Sequence, residues 1–103
     1  MASIPTRKAL VINPDSSLRK TMAQQLQQYH FAVIVEAGNG LEAINILGEQ
    51  AVDLVVTDIA IGQVDAWRLT RLIRSNMLAS SAHTKVIVVS STYSERIAEA
   101  TAK

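Results

Sequence analysis

Four short apolar runs punctuate the chain: ALVI at residues 9–12, FAVIV at 31–35, LVVT at 54–57 and KVIVVS at 85–90. Each is short and mostly β-branched, and the first and third are apolar without alternation. Such runs predict strands covered on both faces. Between them the apolar positions change period. Leu18, Met22, Leu26 and Tyr29 recur every three or four residues while Arg19, Lys20, Gln24, Gln25, Gln27 and Gln28 fall elsewhere, which predicts an amphipathic helix. Leu41, Ile44 and Leu47 predict a second, shorter helix that ends at Gly48 as its C′ residue. Leu69, Leu72 and Ile73 set the inner face of a third over residues 66–75, and Ser94 reads as the N-cap of a last helix, SERIAEATAK.

The resulting order is βαβαβαβα. Apolar strands alternating with amphipathic helices imply a parallel sheet with helices on both faces, right-handed crossovers and ligands at the carboxyl ends of the strands. Asn13, Asp58 and Ser90 all fall at those ends, so three polar residues far apart in sequence converge on one edge. Asn13-Pro14-Asp15-Ser16 also reads as a helix start, with Asn13 as N-cap, Pro14 at the first helical position and Asp15 in the first turn. Gly38-Asn39-Gly40 reads as a tight strand-to-helix turn built from residues at positive φ.

Composition narrows the class. A chain of 103 residues suits one domain, and 49% apolar with only 4% aromatic residues means a core of Val, Ile, Leu and Ala. A net charge of +1, well mixed, exerts no long-range pull on nucleic acid or membrane. No cysteine is present, which removes disulfides and thiolate metal sites. No apolar run approaches the roughly 20 residues needed to cross a bilayer, and the first residues, MASIPTRK, lack the long apolar segment of a secretory signal. A cytoplasmic protein without membrane attachment or direct nucleic-acid binding is the expectation.

KALVINPDSSLRKTMAQQL, EAGNGLEAINIL, DLVVTDIAIGQVDAWRLTRLIR and KVIVVSS, taken in order, resemble the receiver (CheY-like) domain of bacterial two-component response regulators. The likeness spans nearly the whole chain. It implies a flavodoxin-like doubly wound α/β sheet of strand order 2-1-3-4, with residues 1–7 as an N-terminal tail and 8–103 as a receiver-like domain. A receiver's fifth strand, with a lysine that pairs with the phosphoryl group and an aromatic switch residue, and its fifth helix find no match before Lys103. The domain is therefore expected to be C-terminally incomplete, with its effector in a longer chain or a second copy over the fourth strand.

The resemblance makes Asp58 the phosphoacceptor, attacking the phosphohistidine of a sensor histidine kinase or histidine phosphotransfer protein. It makes Ser90 the hydroxyl that responds to the phosphoryl group. In the family, two adjacent acids, the acceptor carboxylate and a backbone carbonyl hold Mg²⁺. Here those positions are Asn13, Pro14, Asp58 and Ala60. Pro14 has no ligating side chain, so Mg²⁺ is expected to bind weakly or not at all. The expected function is a signalling module, not an enzyme: a weakly phosphorylated receiver, or an atypical one that works through protein contacts without phosphorylation. Gly62 stands where the family often has a proline, and Ala66 where it has a glycine.

One rival comes from GNGLEA, which satisfies G-x-G-x-x-A after a strand and suggests a small nucleotide- or flavin-binding domain using the Gly38-Asn39-Gly40 turn. That fingerprint belongs after the first strand of its sheet, whereas here it follows the second. Arg68, Arg71 and Arg74 step along the third helix as a basic ridge, the usual pattern of a solvated face. His30 and His83 lack companions at metal-binding spacing and read as surface residues. Trp67 fits either core or a contact surface.

Overall fold

A computed structural model describes residues 7–79 and 83–89 of the chain. Among the described residues each apolar run gives a strand and each periodic segment a helix, in the order β1 (Lys8–Ile12), α1 (Ser16–Leu26), β2 (Val33–Ala37), α2 (Gly40–Glu49), β3 (Leu54–Asp58), α3 (Ala66–Arg74) and β4 (Lys85–Val89). The four strands form one parallel sheet of order β2-β1-β3-β4, as the alternation of strand and helix requires. The expected last helix and Ser90 lie outside the described residues, as does all of the N-terminal tail except Arg7.

The sheet is covered unequally. Leu10, Ile12 and Val55 pack with Leu47 of α2 and Leu69 and Ile73 of α3 in one buried cluster. Each such side chain contributes roughly 1.5–3 kcal/mol relative to leaving it exposed. On the opposite face Val56 and Val89 share an open cavity of about 440 Å³ with Met22, Leu26 and Tyr29 of α1. There Ile87 is 50% and Val89 40% exposed.

Sequence reading misses several element boundaries. The second strand runs over Val33–Ala37, not 31–35, because a 3₁₀ turn at Gln27–Tyr29 and a left-handed His30 (φ 63°) extend the end of α1. The register is then set where Ala32 N and Val33 N donate to Arg7 O. Arg7 also stacks over Phe31, 5.0 Å from the ring centre. Gly48 is not a C′ residue: α2 continues through Glu49, and Gln50, in extended geometry, donates back to Ile46 O at 2.9 Å.

Candidate functional site at the carboxyl ends of β1 and β3

β1 continues its ladder one residue past the regular strand, where Asn13 N donates to Ala37 O at 3.1 Å. That bond keeps Asn13 in the strand and prevents it from capping α1. The cap is Asp15, whose Oδ1 accepts from Ser17 N at 2.9 Å and Leu18 N at 3.2 Å. The helix starts at Ser16, so Pro14 sits outside it. Asn13 Oδ1 instead accepts from Asp15 N at 2.9 Å, folding Asn13-Pro14-Asp15 into an Asx turn.

Ile12 is in register with Thr57, so Asn13 and Asp58 each stand one residue beyond a paired row and on the same face of the sheet. That face looks toward α1, where Asn13 Nδ2 lies 3.8 Å from Met22 Sδ. Asp58 pairs in register with Val89 of β4. The sheet thus gathers Asn13 and Asp58 at one edge, while Ser90, immediately after Val89, lies outside the described residues. Ala60 follows two residues after Asp58 in an exposed loop.

Asp58 is 7% exposed. No described residue donates a hydrogen bond to its carboxylate, and its oxygens remain in contact with solvent. The backbone beneath it is fixed, with Thr57 buried and its hydroxyl donating to Asp58 O at 2.9 Å. Arg19 serves the neighbouring loop: its Nη1 donates to Asn13 O at 2.8 Å and its Nε to Glu36 Oε1 at 3.0 Å.

This donor set does not suit a tightly held Mg²⁺, which favours octahedral oxygen ligation anchored by carboxylates. Asp58 supplies a carboxylate at the edge, while that of Glu36 is held by Arg19. Asn13 Oδ1 is occupied by Asp15 N, Pro14 has nothing to offer, and Asp15 is committed to the helix cap. Among the described residues no three His, Cys, Asp or Glu side chains cluster to hold a metal ion.

The loop after Asp58 is also locally determined. Gly62 adopts φ 99°, a value closed to proline, whose ring holds φ near −65°. A proline there would force a different path. Asp65 caps α3 by accepting from Arg68 N at 2.8 Å, and Ala66 is fully buried behind it.

The glycine turn has a different purpose from the one its sequence suggests. Neither Gly38 nor Gly40 has positive φ. Gly40 is needed for space: a Cβ on it would meet Val64 O at 2.6 Å and Val64 Cβ at 2.9 Å. Its N–H donates to Ile61 O at 2.7 Å, while Glu42 Oε2 accepts from Gly38 N at 3.1 Å. The amides of Gly38, Gly40 and Glu42 are already occupied, which argues against the dinucleotide reading.

Comparison with known proteins agrees with this fold. The family model for the response regulator receiver domain matches residues 9–103. The chain belongs to the response regulator receiver family. Over 70 residues it is 36% identical to the CAI-1 autoinducer sensor kinase/phosphatase CqsS of Vibrio cholerae, a match covering 68% of this chain but only 10% of that protein. The fold is shared with a response regulator receiver protein from Pseudomonas putida, at TM-score 0.72 and 24% identity over 97% of this chain and 81% of that one. It is also shared with response regulator TrrA of Thermotoga maritima, solved in complex with Mg²⁺ and BeF, at TM-score 0.66 and 20% identity over 93% and 97% of the two chains. The chain is therefore a receiver module of two-component signalling, and the nucleotide-binding alternative is not favoured. Among the described residues no helix is long and apolar enough to cross a membrane.

Proposed function

We propose that this receiver is an atypical one: Asp58 occupies the acceptor position, but the module regulates its partner mainly through protein contacts, with phosphorylation weak or absent. The observation that carries the reading is the state of the β1 edge, where Asn13 and Pro14 bring no charge and Asp15 is held in a helix cap. Phosphoryl transfer to a carboxylate accumulates negative charge on the phosphoryl oxygens, and catalysis consists largely of offsetting it. With so few groups able to do this, Asp58 attacks slowly.

In this reading Asp58, the Ala60 carbonyl and Asn13 Oδ1, which also accepts from Asp15 N, are the ligands for a weakly held Mg²⁺, and Ser90 is the hydroxyl that would respond to a phosphoryl group. The upstream partner is a sensor histidine kinase or a histidine phosphotransfer protein, and the effector belongs to a longer chain. A second copy pairing over the apolar face of β4 is a further contact consistent with the exposure of Ile87 and Val89. The compartment is cytoplasmic.

Incubation with acetyl phosphate and Mg²⁺, followed by intact mass measurement, tests the proposal. The expected result is at most a trace of phosphorylated protein, abolished by Asp58→Ala and increased by Pro14→Asp. Stoichiometric phosphorylation of the wild type, or an adduct that survives Asp58→Ala, overturns it.

A further inference from the structure

The outer face of α3 and the turn after it expose aromatic, guanidinium and thioether groups to solvent. Trp67 is 59% and Met77 77% exposed. Arg68, Arg71, Leu72, Ser75 and Met77 line a shallow open cavity of about 360 Å³ beside them. The inner face of the same helix is already satisfied, with Ala66, Leu69 and Ile73 fully buried. The exposed apolar groups are therefore not required to hold α3 on the sheet.

The charges differ along the ridge. Arg74 Nη1 donates to Thr84 O at 2.6 Å and ties the end of α3 to the approach to β4. Arg68 and Arg71 have no such duty: among the described residues neither guanidinium forms an ion pair or a hydrogen bond. Asp65, the nearest acid along the helix, receives the Arg68 backbone N–H and not its side chain. Two unpaired guanidiniums one helical turn apart, flanking an apolar cavity, complement carboxylates that accompany an apolar side chain. Guanidinium forks bind carboxylates in bidentate fashion, and tryptophan and arginine are the side chains in which binding energy concentrates at interfaces.

We propose that this face docks an acidic segment of a partner protein, with an apolar side chain seated between Leu72 and Met77 and carboxylates on Arg68 and Arg71. Two free arginines beside an apolar cavity, on a chain of net charge +1, suit a peptide better than a nucleic acid, whose interfaces are more polar and more strongly basic.

Trp67 is the one tryptophan in the chain and reports on its own surroundings. The probe is a helical peptide with leucines on one face and glutamates on the other, titrated into the intact chain while Trp67 emission is followed. The expected result is a saturable shift to shorter wavelength, with affinity reduced about tenfold or more in the Arg68→Ala/Arg71→Ala variant and in the same peptide carrying Gln for Glu. Met77→Ala weakens binding with the arginines intact. Circular dichroism establishes that both variants are folded. An unchanged emission, equal affinity for the arginine variant, equal affinity for the Gln peptide, or tighter binding of a single-stranded oligonucleotide than of the acidic peptide overturns the proposal.

Discussion

Arg19 fastens the loop that leaves β1 by donating from Nη1 to the carbonyl oxygen of Asn13 at 2.8 Å. The same guanidinium holds Glu36 through Nε at 3.0 Å, so one side chain joins α1, the end of β1 and β2. Its side chain is 18% exposed, and the pair with Glu36 is partly screened by water. Arg19→Ala should therefore cost about 1 kcal/mol, chiefly from the lost bond to the Asn13 carbonyl. Arg19→Lys should recover only part of this, since an ammonium does not reproduce the fork that spans both acceptors. Urea unfolding of the three proteins checks the order; full recovery by lysine would show that charge alone matters.

Asp15, not Asn13, caps α1. Asp15→Ala should lose about 1 kcal/mol in urea unfolding while Asp15→Ser retains most of the stability. If alanine at position 15 proves neutral, the cap contributes nothing and Asp15 is free to act elsewhere at the strand edge.

Two glycines should respond in opposite senses to alanine. Gly40→Ala drives a methyl group into Val64 O and should destabilise by about 1–3 kcal/mol. Gly48 lies inside α2 with nothing within 4 Å of the added Cβ, so Gly48→Ala should stabilise by about 0.5–1 kcal/mol. Thermal unfolding of both variants gives the comparison, and a shift of the same sign in both would contradict the packing described around Gly40.

The sheet was legible because its signals are local. ALVI, LVVT and KVIVV lie close to their strands, and the alternation with periodic helices carries the parallel order. The cap of α1 is not legible locally because Asn13 and Asp15 are both good capping residues. The choice between them rests on the long-range bond from Asn13 N to Ala37 O, which no local rule contains. The glycine turn failed in a similar way: the constraint on Gly40 comes from Val64 in a distant loop. At the site, the convergence of Asn13 and Asp58 followed from topology alone. What Asn13 does there depends on Asp15, Met22 and Arg19, partners that the chain brings together only once folded.

Mg²⁺ titration by isothermal calorimetry tests most directly whether Asn13 and Pro14 are what silence the strand edge at Asp58. The wild type should give little or no binding heat, while Asn13→Asp/Pro14→Asp should bind at least about tenfold more tightly and lose that gain when Asp58→Asn is added. Wild-type binding as tight as that of the double variant, or no binding by the double variant while it remains folded, would contradict the account.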